Sequence, residues 1–318
     1  MSFRTLIHIG YHKTASSFLQ KEVFSNEKLP FNLLERELVV REIVKKNLFF
    51  FDIENTRKAL VQNFDANKVN VISLENLVGN PHSGGYAGYD NFLKLKLLFP
   101  DAKIFVCIRE QNSMILSTYK QYVKSFGTLS LKRYLHQTEK GSNVLPAFDL
   151  KHFCYDGLIN TYREGFGKEN VLVLPFEILN INAEQFLGQL FEFTGIGAAC
   201  VQVVNFQKKR KPAMPNLTLS VKRRYNRVFT RTRVNPHGWF AFSTQTDTFP
   251  FKAIAFLERK LGKQFQKKSD NKQLRIIDKA VADFYAESNR RTIELINVDL
   301  KTYNYNCNGL NESKRNNE

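Results

Sequence analysis

The segment TLIHIGYHKTASSFLQKEVF, residues 5–24, decides the fold. Its first residues form a short apolar run that predicts a strand, Thr5–Ile9, and residues 16–24 predict a helix. The turn between them holds Gly10 and Lys13. A strand that enters a helix through a tight turn directs backbone N–H groups and the positive end of the helix dipole at one point. The segment therefore predicts an anion site.

Polar side chains extend this predicted anion site. Lys13 adds a cation, and Thr14, Ser16 and Ser17 add hydroxyl donors, so a phosphate or sulfate group is the expected ligand. The turn differs from the Walker motif, which places Gly-Lys-Ser/Thr after a four-residue spacer from the first glycine. Here Lys13 lies three residues after Gly10, which argues against ATP hydrolysis. By itself the turn is equally consistent with a surface connection that carries an incidental lysine.

A second segment carries a further phosphate motif. Residues 103–108, KIFVCI, predict a buried strand, and Arg109 follows its carboxyl end, where open α/β sheets bind ligands. Ser117 lies eight residues after Arg109, in the helix that follows. An arginine can hold a phosphate through two parallel N–H bonds, and a serine can donate one more. The alternatives are an ion pair between Arg109 and a carboxylate, and a solvent-facing position for Ser117.

The two motifs, in this order and each after its own strand, resemble those of sulfotransferases that use 3′-phosphoadenosine 5′-phosphosulfate (PAPS). In that family a lysine and a run of small and hydroxyl residues bind the 5′-phosphosulfate, and an Arg with a Ser eight residues later binds the 3′-phosphate. The resemblance implies that the donor is bound by Lys13, Thr14, Ala15, Ser16, Ser17, Arg109 and Ser117. The chain departs from the commonest form of these motifs at Ala15, Ser16, Gln111 and Met114.

The resemblance extends in outline from Thr5 to Tyr305 and is to bacterial sulfotransferase-domain proteins. Further strands are predicted at 69–73 and 171–174. Helices are expected at 16–24, 35–64 with a break near Phe51-Asp52, 91–99, from Arg109 to about Gly127, at 149–164 and before Ile196. Strands separated by helices imply right-handed crossovers. We expect a three-layer, P-loop-like α/β fold with a central parallel sheet flanked by helices. It would form one sulfotransferase-like domain over 1–305, with a disordered tail over 306–318.

Glu75 and His12 are the candidate catalytic bases, beside Lys13 as the third catalytic candidate. Sulfuryl transfer needs a base that takes the proton from an attacking hydroxyl. In the family that this chain resembles, cytosolic enzymes use a histidine, whereas several carbohydrate-directed ones use a glutamate after the second core strand. Glu75 has that position, two residues beyond the strand, and His12 adjoins Lys13. Glu75 is alternatively a carboxylate favoured at a helix N-terminus. The other histidines, His8, His82, His136 and His152, are less well placed.

The net charge of +17 is concentrated in residues 208–233, with the runs KKRK, KRRYNR and RTR. Three interpretations remain open: binding of an anionic donor or acceptor, a solvated basic surface, and binding of a nucleic-acid backbone. Nucleic acid is the least favoured, since no known nucleic-acid motif accompanies the charge. In many sulfotransferases a basic loop late in the chain closes over the donor's 3′-phosphate. The resemblance thus extends the donor site to Lys208, Lys209 and Arg210.

Composition restricts the class of protein further. The 318 residues are 43% hydrophobic, which suffices for a large core. Four cysteines are scattered without a CxxC pair or a Cys/His cluster, which argues against a zinc site and a disulfide scaffold and favours a reducing compartment. The apolar stretch near the N-terminus, LIHI, is far below the length of a signal peptide or a transmembrane helix. We therefore expect a cytoplasmic enzyme without a metal.

The resemblance therefore implies transfer of a sulfuryl group from PAPS to a hydroxyl or amine. A glycan is the expected acceptor, by analogy with the carbohydrate-directed enzymes that have a glutamate at the position of Glu75. Loop residues 76–90 and the basic segment after Phe206 are expected to shape the acceptor pocket. Tyr86, Tyr89 and Trp239 could stack on a sugar or a phenol, although core packing or loop stability would explain them equally well. The alternatives are a kinase-like phosphoryl transferase, a basic nucleic-acid-binding protein and an inactive nucleotide-binding relative. A kinase should show Gly-Lys-Ser/Thr and a Mg²⁺-binding aspartate after a strand.

Overall fold

The computed structural model describes residues 3–136, 147–206, 214–229, 256–257, 260 and 263–308, with the backbone alone for 263–266. The chain divides into two compact units. The first comprises Met1–Glu110, Lys151–Arg210 and Asp283–Glu318, and the second comprises Gln111–Leu150 and Lys211–Ala282. A single sulfotransferase-like domain over residues 1–305 stays a prediction.

The first unit is built on a five-stranded parallel sheet. The strands are β1 (Thr5–His8), β2 (Phe31–Leu33), β3 (Val69–Ser73), β4 (Lys103–Ile108) and β5 (Val171–Pro175). Their spatial order is β2-β3-β1-β4-β5, so β1 is central, between β3 and β4. His8 is in register with Ser73 on one side and with Phe105 on the other. The carboxyl ends of these three strands therefore meet at one edge of the sheet.

Helices cover the sheet, as predicted for the three-layer α/β fold. Those of the first unit are α1 (Ser16–Phe18), which continues as a π-helical Leu19–Phe24, α2 (Arg36–Val39), which continues as a π-helical Val40–Val44, α3 (Ile53–Val61), α4 (Gly88–Leu98), α7 (Tyr155–Phe166), α8 (Phe176–Ile181), α9 (Ala183–Thr194) and α12 (Ala286–Ile296). Its 3₁₀ turns are Leu48–Phe50, Glu75–Val78, Pro81–Ser83, Leu150–Phe153 (whose first residue belongs to the second unit), Lys168–Asn170, Ala198–Val203 and Leu300–Tyr303.

Side chains on both faces of the sheet form the core. Leu6 and Phe105 face one layer, where they belong to a buried cluster with Phe24 of the first helix and Phe186 of α9. Ile7, next to Leu6 on β1, is also fully buried, and strand alternation directs it to the opposite layer. Because both faces of the sheet are covered, its strands read as continuous apolar runs rather than as alternating patterns.

The second unit contains α5 (Gln111–Lys124), α6 (Leu131–Leu135), α10 (Asn216–Phe229) and α11 (Lys263–Val281). Asn226 of α10 is fully buried, and its amide donates to the carbonyl oxygens of Val123 (2.8 Å) and Gly127 (3.0 Å). These bonds join α10 to the C-terminal end of α5 and to the turn that follows it. Within the part of the chain that is described, no helix combines the length and apolar composition that a bilayer crossing needs.

Two expectations about secondary structure differ from the observed elements. Strand β2 is absent from the sequence prediction because three residues are too short to show a period. The expected helix over 35–64 is interrupted: Leu48–Phe50 forms a separate 3₁₀ turn, and Asp52 accepts a hydrogen bond from the amide of Asn55 (2.9 Å) that starts α3. The helix break predicted near Phe51-Asp52 therefore coincides with an N-cap.

The first residues of the expected tail make hydrogen bonds. The carbonyl oxygen of Asn306 accepts a bond from the Asn289 amide (2.8 Å), and that of Cys307 accepts one from Arg290 (3.2 Å). Residues 309–318, the remainder of the expected tail, lie outside the described residues.

Candidate functional site

The turn after β1 has an unusual backbone. Lys13 and Ala15 have positive φ angles of 69° and 66°, a region that residues with a Cβ rarely adopt. Ala15 is the N-cap of α1, and its carbonyl oxygen accepts the amides of Phe18 (2.8 Å) and Leu19 (3.1 Å). By helix geometry, the amides of Ser16 and Ser17 have no partner within the helix. Such strain persists where the surroundings enforce it, commonly at binding sites.

The three hydroxyl residues of the turn have different surroundings. Thr14 is fully buried, and its hydroxyl donates to the carbonyl oxygen of Tyr11 (2.5 Å). This hydrogen bond stabilises the conformation of the turn. Ser16 is 4% exposed, and its hydroxyl oxygen has no hydrogen-bond partner among the described residues. Lys13 and Ser17 are exposed. A buried hydroxyl without a partner is costly, which makes Ser16 a natural donor to a bound anion.

Gly10 and His8 fit together beneath the turn. A Cβ on Gly10 would lie 2.5 Å from Nε2 of His8, so any other residue would displace the imidazole. Nδ1 of His8 is hydrogen-bonded to the hydroxyl of Ser73 (2.8 Å), and the ring stacks on Phe105 at 5.1 Å. His8 therefore ties β1 to both of its neighbouring strands below the candidate site.

Burial lowers the pKa of His8 to about 4, although nearby Glu75 raises it. In the unfolded chain the pKa is about 6.5, so between these values the unfolded state binds more protons. Stability should fall as the pH falls from 6.5 towards 4, by roughly 3 kcal/mol from this histidine. We expect His8→Asn to reduce the slope of the unfolding free energy against pH in that window, by an amount that corresponds to about one bound proton. Urea unfolding at several pH values measures this slope. An unchanged slope in the variant would contradict this assignment.

Arg109, after β4, contacts the turn directly. Its guanidinium donates to the carbonyl oxygen of Lys13 (3.1 Å) and lies over the ring of Phe176 at 5.0 Å. The hydroxyl of Tyr155 donates to the carbonyl oxygen of Arg109 (2.5 Å). Burial lowers the pKa of Arg109, and Glu177 raises it, but a guanidinium remains charged at neutral pH. The structure thus brings together Lys13 and Arg109, which the sequence predicts to bind the two ends of one nucleotide.

Glu177 supports this end of the site from the carboxyl end of β5. Its carboxylate accepts bonds from the amide of Glu110 (3.1 Å) and the hydroxyl of Tyr305 (3.1 Å). Burial raises the pKa of Glu177, and these hydrogen bonds lower it. Sequence reasoning missed Glu177, although a carboxylate just beyond the end of a predicted strand is a signal that could have drawn attention to it.

Glu75 and His12 lie on the other side of the turn, towards β3. The carboxylate of Glu75 is 3.5 Å from the guanidinium of Arg36, and its side chain is 19% exposed. Burial lowers the pKa of His12, an effect that Glu75 opposes, so the imidazole is neutral at pH 7. Both candidate bases are therefore close enough to interact electrostatically.

Two further histidines surround His12. Burial lowers the pKa of His82 to about 4 and that of His152 to about 3. Repulsion from His12 in its protonated form adds to both shifts, and repulsion from protonated His82 adds to that of His152. Gly85, at φ +74°, leaves the space that the His152 ring occupies. From the sequence, His82 and His152 are less well placed than His12 as candidate bases. No local pattern could reveal their proximity, since His152 lies 140 residues after His12.

The structure does not test the other predicted site residues. Ser117 lies on α5, in the second unit, and its pairing with Arg109 stays a prediction. Lys208, Lys209 and Arg210 lie outside the described residues, as does Trp239. Among the residues that are described, no group of three or more His, Cys, Asp and Glu side chains has an arrangement that could hold a metal ion.

Comparison with known proteins adds evidence about the fold. No protein-family model matches the chain, and no curated protein matches it in sequence. A sulfotransferase from Alicyclobacillus acidocaldarius is similar in structure, with a TM-score of 0.50 and 16% identity over 70% of this chain and 90% of that chain. The sulfotransferase domain from the curacin biosynthetic pathway has a TM-score of 0.38 and 14% identity over 62% and 75% of the two chains. Mouse sulfotransferase SULT7A1 complexed with PAP has a TM-score of 0.39 and 11% identity over 89% and 86%.

The sheet order, the flanking helices and the first of these likenesses define the class: the chain has a sulfotransferase fold, the P-loop-like α/β architecture expected from its two phosphate motifs.

Proposed function

We propose that this protein is a sulfotransferase that moves a sulfuryl group from PAPS to a hydroxyl or amine acceptor. The observation that carries the proposal is the contact between the turn after β1 and Arg109 after β4, within a sulfotransferase fold. Two cations at the carboxyl edge of neighbouring strands, one of them beside a buried and unpartnered serine hydroxyl, suit a ligand with two separate anionic groups.

In the proposed complex, the 5′-phosphosulfate of the donor lies against the turn of Lys13, Ala15, Ser16 and Ser17. The exposed ammonium of Lys13 and the first amides of α1 face its oxygens. The 3′-phosphate lies near Arg109, with Ser117 and the basic residues Lys208, Lys209 and Arg210 as further donors. Thr14 keeps its bond to Tyr11 and maintains the turn rather than binding the donor.

The proposed reaction is an in-line displacement at sulfur. The acceptor oxygen forms a bond to sulfur while the bond from sulfur to the 5′-phosphate oxygen breaks, and that oxygen takes the electron pair. The acceptor proton passes to Glu75, or to His12 beside it. Lys13 and the α1 amides stabilise the negative charge on the leaving phosphate of 3′-phosphoadenosine 5′-phosphate (PAP), which is where charge develops. This sequence of bond changes needs no metal.

The proposed acceptor is a carbohydrate hydroxyl. Glu75, rather than a histidine, follows β3, the second of the strands predicted from the sequence, as in carbohydrate-directed enzymes of the family that the motifs resemble. Tyr86 lies in the loop after Glu75 and Tyr89 lies in the first turn of α4. They are 70% and 62% exposed, so their rings are available to stack on a sugar.

We also propose a reducing compartment, the cytoplasm, as the place of action. All four cysteines lie in described residues and none of them forms a disulfide bond, and Cys107 and Cys307 are buried. Cysteines without disulfide bonds are typical of proteins kept in reducing surroundings.

Calorimetry with nucleotides tests the donor. We expect PAP to bind tightly and ADP, which lacks a 3′-phosphate, to bind at least about tenfold more weakly, because charge-assisted bonds to one phosphate are lost. Equal affinities would refute the donor assignment. Transfer of labelled sulfate from PAPS to a panel of glycans, lipids and phenols then identifies the acceptor class.

A further inference from the structure

The 3₁₀ turn Leu48–Phe50 presents two adjacent phenylalanines to solvent. Phe49 is 93% exposed and Phe50 is 86% exposed, the highest values among the large apolar side chains of the described residues. A side chain on a flat surface is partly covered by its neighbours, so exposure of this degree means that both rings protrude. Protruding pairs of large apolar side chains are rare on soluble monomers and mark contact sites.

The backbone beneath these rings is held in place. The side chain of Asn47 accepts the amide of Phe49 (2.9 Å), and Asp52 caps the helix that follows. Lys94 of α4 is buried, and its ammonium donates to the carbonyl oxygens of Ile43 (3.1 Å) and Lys46 (2.5 Å) just before the turn. A turn that is capped on both sides and anchored from α4 presents its rings with little further loss of entropy on binding.

Basic residues surround this turn in the sequence. Residues 41–58 contain five basic residues, Arg41, Lys45, Lys46, Arg57 and Lys58, against three acidic ones. One of the acidic residues, Glu42, is buried and forms ion pairs with Arg41 and Lys46. Lys45, four residues before Phe49, is exposed, as are Arg57 and Lys58. The chain as a whole carries +17, so an anionic surface attracts it at long range.

We propose that Phe49 and Phe50 form a membrane-insertion tip that attaches the protein to the surface of an anionic lipid bilayer. The two rings would enter the boundary between headgroups and acyl chains, while Lys45 and the neighbouring cations face the phosphates of the headgroups. A second copy of the chain suits the tip less well, because two positively charged surfaces repel each other and a narrow protrusion buries little area against a flat partner.

Sedimentation of the full chain with lipid vesicles tests the proposal. The vesicles contain phosphatidylcholine alone or with an equal amount of phosphatidylglycerol. We expect binding to the anionic vesicles, at least tenfold weaker partitioning for the Phe49→Ala/Phe50→Ala variant, and a roughly fivefold loss for Lys45→Gln, which removes one positive charge. Ile181→Ala is the matched control, since Ile181 is 75% exposed elsewhere on the first unit. Its partitioning should equal that of the unaltered chain. All the substituted side chains are exposed, and thermal unfolding confirms that each variant is folded.

Insertion depth provides a second readout. Phe50→Trp, placed in a Trp239→Phe background, should be quenched by lipids brominated on the acyl chain when anionic vesicles are added. Equal partitioning of the double alanine variant and the unaltered chain would overturn the proposal, because the binding would then come from charge alone. Absence of binding to anionic vesicles would overturn it as well. If ultracentrifugation shows a dimer that Phe49→Ala/Phe50→Ala dissociates, the tip binds a second copy and the proposal is wrong.

Discussion

Glu75→Gln is expected to lower turnover by ~10²–10⁴, the usual range for loss of a general base, while the dissociation constant for PAP stays nearly unchanged. The carboxylate lies on the β3 side of the turn, whereas Arg109, on the β4 side, makes the contact with Lys13. In the proposed complex Glu75 therefore faces the acceptor and not the donor. Glutamine keeps the size and the polar character of the side chain but cannot take a proton.

Two matched variants make this prediction discriminating. Lys13→Ala should also lower turnover, but it should weaken PAP binding at the same time, because the ammonium faces the leaving phosphate. His12→Ala should leave at least about a tenth of the turnover if Glu75 is the base. Stopped-flow or steady-state rates beside calorimetric affinities separate these outcomes. Near-normal turnover in Glu75→Gln with abolished turnover in His12→Ala would assign the base to the histidine and remove the support for a carbohydrate acceptor.

Arg109→Ala is expected to weaken PAP binding by about 2–4 kcal/mol, which corresponds to roughly 30- to 800-fold in the dissociation constant. The reason is twofold. The guanidinium is the proposed partner of the 3′-phosphate, and it also holds the carbonyl oxygen of Lys13 in the strained turn. Removal of the side chain therefore takes away a charged donor and a constraint on the turn.

Adenosine 5′-phosphosulfate, which lacks the 3′-phosphate, separates the two roles of Arg109. If Arg109→Ala acts only through the 3′-phosphate, the affinity for this nucleotide is unchanged; a loss there reports the broken contact with the turn. Arg36→Ala is the control, since Arg36 pairs with Glu75 and should leave PAP affinity unaltered. Wild-type affinity of Arg109→Ala for PAP would contradict the assignment of the 3′-phosphate site.

Much of the fold was accessible from the sequence because its signals are local. Each pattern is recognised within fewer than about ten consecutive residues. The patterns are the apolar run before Gly10, the hydroxyl residues after Lys13 and the arginine after KIFVCI. Parallel strands separated by helices then allow few topologies, and the carboxyl ends of neighbouring strands meet at one edge. The parallel α/β sheet and the proximity of Lys13, Glu75 and Arg109 follow from those rules, whereas the sulfotransferase fold was expected from the resemblance of the two phosphate motifs to that family.

Contacts between distant segments were decided only by the tertiary structure. The hydrogen bond from Arg109 to the Lys13 carbonyl oxygen joins residues 96 positions apart. The His152 ring can lie near His12 because Gly85 has no side chain to occupy its space. Strand β2 forms because its backbone pairs with that of β3. The exposure of Phe49 and Phe50 depends on which apolar residues of the chain pack into the core. Sequence periodicity shows which residues can share a face of one element. It does not show which atoms of separate elements meet, since that depends on how the whole core packs.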